Sequence, residues 1–150
     1  MSQSLSSILI HIIFSTRKRQ PFIFPEISED LHLYIAAIAR AHNTFIHEIG
    51  GVEDHVHLLI SLPRDLTVSK LVEEMKKSSS RWMKTKGKES LDFAWQKGYG
   101  AFSIGQSSYE DLRAYIQNQK EHHKKISFQE EYRIFLQKYS VSYDEKYVWD

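Results

Sequence analysis

Asp54-His55-Val56-His57-Leu58-Leu59-Ile60-Ser61-Leu62 decides how this chain folds. Val56, Leu58, Ile60 and Leu62 alternate with His55, His57, Leu59 and Ser61, a period of two that predicts a β-strand. Side chains on one face of a strand recur about every 6.6 Å, so imidazoles at i and i+2 can converge on one metal ion. An apolar strand that opens with two histidines has two readings, a satisfied pair at a sheet edge or a metal site. The strand alone leaves both open.

Around that stretch, 150 residues predict one domain spanning 1–150, long enough to bury a sizeable core. With 41% hydrophobic and 26% charged residues, the composition is that of a globular protein. No run of eighteen apolar residues occurs, so no transmembrane helix and no membrane partner are expected. Met1-Ser2-Gln3-Ser4 lacks the basic start of a secretory signal, which makes the cytoplasm the expected location. The absence of cysteine excludes disulfides, thiolate zinc sites and cysteine nucleophiles. A net charge of +1 is uninformative, but its distribution is uneven. Lys70, Lys76, Lys77, Arg81, Lys84, Lys86 and Lys88 face only Glu73, Glu74 and Glu89, and Arg17-Lys18-Arg19 forms a second cluster. Such patches suit a polyanion such as nucleic acid, although a solvated helix face with a basic loop has the same pattern.

Residues 6–15 read as a central strand buried on both faces. After a turn through Pro21 and Pro25, Leu31, Tyr34, Ile35 and Ile38 recur at helical spacing from Ser28, the expected N-cap, to about His42. Thr44 to Ile49 predicts a strand, with Gly50-Gly51 as a tight turn into the histidine strand. A second helix is expected from about Thr67 to Lys86, its inner face formed by Val68, Leu71, Val72, Met75, Ser79 and Trp82. A strand near Gly100-Ala101-Phe102-Ser103-Ile104 completes βαββαβ, the split βαβ order of an α+β, ferredoxin-like fold. Ser107-Ser108-Tyr109-Glu110 reads as a capping box opening a helix to about Lys125. Ser127-Phe128-Gln129-Glu130 reads as another, opening a last helix with Phe128, Tyr132, Phe135, Leu136 and Tyr139 on one face.

Tyr115, Gln119 and His122 lie at i, i+4 and i+7, one stripe of the helix that follows the core. His55-Val56-His57 has the His-hydrophobe-His form of the HUH nucleases. Tyr115-Ile116-Gln117-Asn118-Gln119 resembles the tyrosine helix of the single-tyrosine transposases carried by the smallest bacterial and archaeal insertion sequences. Val68-Ser69-Lys70-Leu71-Val72, Lys77-Ser78-Ser79-Ser80-Arg81 and Trp95-Gln96-Lys97-Gly98-Tyr99-Gly100-Ala101-Phe102-Ser103 are similar to the same family. So are Lys120-Glu121-His122-His123 and Ser127-Phe128-Gln129-Glu130-Glu131-Tyr132, and the resemblance covers about residues 8–139 in order.

The resemblance implies a ferredoxin-like antiparallel sheet with helices on one face, followed by the tyrosine helix and a last helix. It implies that His55, His57 and Gln119 bind a divalent ion, Mg²⁺ or Mn²⁺, and that Tyr115 attacks a phosphate of single-stranded, hairpin-bearing DNA. The products would be a 5′-phosphotyrosine and a free 3′-hydroxyl. It further implies a homodimer with active sites shared in trans. Elementary chemistry agrees: a free phenol, with pKa about 10, is a weak nucleophile without help. A metal ion that neutralises the phosphate supplies that help, and imidazoles would also take Zn²⁺, Ni²⁺ or Co²⁺. No GxxxxGK[ST] loop is present, as expected of a reaction that stores its phosphodiester on a side chain.

Asp54 reads either as a partner orienting a histidine or as a turn former, and His122 and His123 as neighbours of the site or of DNA. His11, His32, His42 and His47, scattered over separate elements, read as structural. Lys76, Lys77 and Arg81 are the first candidates for DNA-backbone contacts, followed by Arg17, Lys18 and Arg19. One alternative is a domesticated, REP-associated tyrosine transposase acting on dispersed palindromes. Another is a non-catalytic ferredoxin-like nucleic-acid module, but the K/R-G-F/Y-G/A-F-V motif of RNA-recognition domains is missing. Cupins and amidohydrolase barrels, which also use HxH pairs, fail on pattern or length.

Overall fold

A computed structural model describes residues 2–150. β1 (Leu9–Ser15) is buried along its whole length and lies beside β3 (His55–Ser61) in the middle of a four-stranded antiparallel sheet. The sheet order is β2-β3-β1-β4, with β2 (Phe45–Val52) and β4 (Gly100–Ile104) at the edges. That is the ferredoxin-like arrangement expected from βαββαβ.

Alternation divides the two central strands between two layers. Ile10, Ile12 and Phe14 of β1 and Val56, Leu58 and Ile60 of β3 face α1 (Pro25–Ala41) and α2 (Val68–Met83), packing on Leu31, Ile35, Leu71, Val72 and Met75. The opposite face, with Leu9, His11 and Ile13 of β1 and His55, His57 and Leu59 of β3, is roofed by the C-terminal helices. Leu112 and Ile116 of α3 (Tyr109–Gln117) pack on Leu9 and Leu59. Phe128, Tyr132, Phe135 and Leu136 of α5 (Phe128–Lys138) pack with Ile13 and Phe102. Each large apolar side chain so buried contributes about 1.5–3 kcal/mol. Ile116, 1% exposed, is thus a main anchor of the tyrosine helix on its own sheet. Among the described residues no helix is long and apolar enough to cross a membrane.

Three local expectations are corrected. α1 starts at Pro25, not Ser28, because proline at the first helical position has the right φ and no N–H to leave unpaired. The β2–β3 turn is Glu53-Asp54, and Gly50 and Gly51 lie within β2. A Cβ on Gly50 would stand 2.6 Å from the carbonyl oxygen of Ile116, so this glycine lets the helix end approach the strand. The helix expected from Ser107 to Lys125 instead opens through a 3-10 turn, Gln106–Ser108, with no side-chain cap. It breaks at Asn118 (φ -98, ψ 23) before the short α4 (Gln119–His122).

The cap expected at Ser127 forms, and Thr67 supplies another. Thr67 accepts from the Lys70 N–H at 3.1 Å, and Ser127 from the Glu130 N–H at 3.2 Å. Residues 140–150 fold back, with Tyr143, Val148 and Trp149 against the α5 cluster.

Candidate active site

His55 and His57 are both fully buried on the face beneath the C-terminal helices, and each ring has a partner at both nitrogens. Asp54, in the β2–β3 turn, accepts from His55 Nδ1–H at 2.6 Å. His55 Nε2 then points at Gln119 Oε1 (3.1 Å) and Glu131 Oε1 (3.3 Å). His57 Nε2–H donates to Glu131 Oε1 at 2.8 Å, and its Nδ1 lies 2.9 Å from Nε2 of His11.

These surroundings set the two imidazoles apart. Burial pushes His57 down to about 4, so it is neutral at neutral pH. Burial acts in the same direction on His55, but its hydrogen bonds to the Asp54 and Glu131 carboxylates outweigh it and raise the ring to about 9. For Glu131, burial alone would raise the carboxyl. The imidazoles of His57, His123 and His55 reverse that and hold it well below the usual carboxylate range.

Tyr115 reaches the same carboxylate from α3. Its hydroxyl donates to Glu131 Oε2 and lies 2.7 Å from His122 Nε2. Burial, then the Glu131 charge, raises the phenol above its ordinary value, so the resting side chain is the hydroxyl. The break at Asn118 changes the phase of the chain and brings three residues of the α4 segment into play. Gln119, 1% exposed, turns Oε1 to His55, and His122 meets the tyrosine hydroxyl. His123 donates from Nδ1 to the Ile126 carbonyl (2.9 Å) and places Nε2 3.1 Å from Glu131 Oε2.

The structure therefore gathers Asp54, His55, His57, Tyr115, Gln119, His122 and His123 around one point, and adds two residues that sequence reading did not assign to it, Glu131 and His11. Glu131 is the hub. Its signal was present: Phe128, Glu131, Tyr132, Phe135 and Leu136 share one helical face, so a carboxylate sits in an apolar stripe. His123 lies one turn after Gln119 and shares its face. His11 sits between apolar residues of β1, and the antiparallel pairing of β1 with β3 puts it on the histidine side of the sheet. Its Nδ1 has no hydrogen-bond partner.

The donor set fits a divalent cation. One ligand atom from each of His55, His57, His123 and Glu131 lies within 4.8 Å of the others. Adjacent ligands on an octahedral ion with bonds of about 2.1 Å are roughly 3.0 Å apart. The contacts of 2.8, 3.1 and 3.3 Å among His57, Glu131, His55 and Gln119 match the edges of such a polyhedron. A cation entering the site takes the place of the Nε2 protons of His55 and His57, and the imidazoles so freed, with amide oxygen and carboxylate, suit a borderline or hard divalent ion.

The basic candidates lie elsewhere. Lys76, Lys77 and Arg81 are on α2, on the other side of the sheet. Lys76 donates to the carbonyls of Gln96 (2.8 Å), Gly98 (2.6 Å) and Lys97 (3.3 Å), and burial lowers it to about 8, so its ammonium ties down that loop. Lys77 pairs with Glu74 at 3.2 Å, whereas Arg81 is exposed. Arg17, Lys18 and Arg19 form a 3-10 turn at the His55 end of the sheet, where Thr16 N–H donates to the Asp54 carbonyl at 2.8 Å. Arg19 also donates to the Trp149 carbonyl at 3.0 Å.

The family model described as "Transposase IS200 like" matches residues 4–119, from before β1 to the first residue of α4. No curated protein matches the chain. Among solved structures, a candidate transposase from Deinococcus radiodurans R1 is 20% identical with a TM-score of 0.62, over 79% of this chain and 98% of that one. A REP-associated tyrosine transposase bound to a REP hairpin is 19% identical with a TM-score of 0.62, over 84% of this chain and 76% of that one. At these identities the likeness is one of fold.

Proposed function

The chain belongs to the family of IS200-like transposases, and from that premise we propose that it cleaves and rejoins single-stranded DNA through a 5′-phosphotyrosine at Tyr115. One observation carries the reading: the Tyr115 hydroxyl and the His55/His57 pair meet on a single buried carboxylate, Glu131.

The residues divide the work by protonation state. Glu131 holds the resting phenol in place but, as a carboxylate of depressed pKa, is a poor proton acceptor. His122 Nε2, 2.7 Å from the hydroxyl, is the better one, and a rotation of the phenolic O–H from Glu131 to His122 delivers the proton. The phenolate then attacks phosphorus and the 3′-oxygen leaves; attack by another 3′-hydroxyl reverses the step without a nucleotide cofactor. Mg²⁺ or Mn²⁺, held by His55, His57 and Gln119 with Glu131 and His123 in reach, would neutralise charge on the scissile phosphate. Asp54 fixes the His55 ring so that its Nε2 faces the site. Lys77, Arg81 and the Arg17–Arg19 turn, with Lys76 bracing the neighbouring loop, would position the DNA backbone.

The hairpin-bound structural neighbour supports a hairpin substrate, and with it the second reading, a domesticated enzyme acting on dispersed palindromes. Such a protein would work in the cytoplasm. A homodimer sharing sites in trans would require α3 to leave the seat that Leu112 and Ile116 make on its own sheet; the geometry supports attack in cis.

The test is incubation with hairpin oligonucleotides bearing single-stranded flanks, with Mg²⁺ or Mn²⁺. A covalent adduct mapping to Tyr115 is expected, abolished by Tyr115→Phe, by His57→Ala or by chelation, with hairpin binding retained. An adduct on Tyr99, Tyr109 or Tyr132 overturns the assignment. Mixing Tyr115→Phe with His55→Ala/His57→Ala chains should restore no cleavage if sites are built in cis; recovered activity establishes exchange.

A further inference from the structure

A cavity of about 350 Å³ lies beside the proposed nucleophile, with Tyr115, His122 and Glu131 forming part of its wall. Leu112, Phe135 and Tyr139 line its apolar side, the two aromatic rings lying nearly parallel (7°). Asp111 and Lys138 line it with charges of opposite sign. The volume is within the range of about 300–1,000 Å³ for small-molecule sites. The chemistry proposed for Tyr115 uses none of this space.

We propose that the cavity receives one nucleobase, that of the nucleotide whose 5′-phosphate becomes attached to Tyr115, and so sets base preference at the cleavage position. The inference rests on the proposed tyrosine chemistry. In-line displacement puts the attacking phenolic oxygen and the leaving 3′-oxygen on opposite sides of phosphorus. The departing nucleotide therefore lies across the phosphate from Tyr115. The retained nucleotide hangs on an equatorial oxygen, within one phosphodiester of the tyrosine, whose side chain lines the cavity.

Its lining matches a base in both respects. Phe135 and Tyr139, with Leu112 and Ile134, give it an apolar wall against which a base packs. Asp111 accepts from an exocyclic amino group and Lys138 donates to a carbonyl or ring nitrogen, which separates bases by their hydrogen-bonding edges. A phosphate or sugar would gain nothing from the apolar wall, and the acidic side chain would oppose the former.

The experiment uses the full chain and a pool of hairpin oligonucleotides with randomised single-stranded flanks, with Mg²⁺ or Mn²⁺. Covalent adducts are purified and the tethered strands sequenced from the tyrosine outward. One base should be enriched on the order of tenfold at the first tethered nucleotide, as expected for a hydrogen-bonded base reader. Two variants remove the reader differently: Asp111→Asn keeps its size, and Ile134→Trp drives a ring into the cavity from a position 54% exposed. In each, the preference at that nucleotide should fall to about twofold or move to another base among the adducts formed, while preferences farther along the flank stay as in the wild type.

Adducts without base preference at that position, or with a preference that survives both substitutions, overturn the cavity assignment and leave Tyr115 as nucleophile. Complete loss of adducts in Asp111→Asn makes Asp111 part of the chemistry and likewise overturns it. If the wild-type chain forms no adduct with any member of the pool, the proposed function fails and the cavity assignment with it.

Discussion

Glu131→Gln removes one charge at nearly constant shape from the centre of the site. The carboxylate accepts from His57 Nε2–H (2.8 Å) and the Tyr115 hydroxyl, and faces His55 Nε2 at 3.3 Å and His123 Nε2 at 3.1 Å. The raised affinity of His55 for its proton, from 6.5 to about 9, corresponds to about 3 kcal/mol of stabilisation shared between Asp54 and Glu131. Removing one partner of a buried pair costs roughly 3–5 kcal/mol, and the amide oxygen recovers about 1 kcal/mol in hydrogen bonding. A net loss of about 2–4 kcal/mol follows. For a chain of this length that lowers Tm by about 5–15 °C.

The pH dependence has a definite sign. Glu131 is depressed when folded, so its contribution is present above its unfolded pKa of about 4.3 and is lost as pH falls. His55 is raised, so its contribution is complete below about 6.5 and is lost as pH rises through about 9. The difference between wild type and Glu131→Gln should be widest from about pH 4.5 to 6.5 and should narrow on both sides. Urea denaturation with a chelator between pH 4 and 10 measures it. A difference below about 1 kcal/mol at pH 6, or one independent of pH, would refute the reasoning.

Three further outcomes are expected. His11→Leu removes the partner of His57 Nδ1, which must donate there if Nε2 is to bind a metal ion; calorimetry should find divalent affinity reduced about 10–100-fold with hairpin binding intact, and an unchanged affinity makes His11 a packing residue. Gly50→Ala places a methyl group 2.6 Å from the Ile116 carbonyl oxygen; the displaced α3 should cost about 1–3 kcal/mol in thermal melts and slow adduct formation, and a stable, fully active variant would dissociate the glycine from the helix seat. Neutralising Lys77 and Arg81 to Gln should flatten the salt dependence of single-strand binding by about 0.7 in log–log slope for each lost phosphate contact; an unaltered slope returns α2 to solvent.

The sequence by itself determined the elements and their faces. Alternation at Val56, Leu58, Ile60 and Leu62 put His55 and His57 together on one side of a strand, and the spacing of Tyr115 and Gln119 kept those two close along the chain, although the helix between them breaks at Asn118. These relations lie within a few residues, where backbone geometry fixes the phase. The glycine pair showed the limit of such reading: Gly50-Gly51 signals a turn locally, whereas its use, close approach to Ile116, depends on a helix 66 residues away. Tertiary structure alone decided that His11 meets His57 across 46 residues and that Glu131 meets it across 74. Strand order and register set the first contact. The second depends on the break at Asn118 and the docking of α5, which together aim a carboxylate from an apolar stripe at the histidines. A pattern within one element fixes which face a side chain takes; only the packing of elements fixes what that face meets.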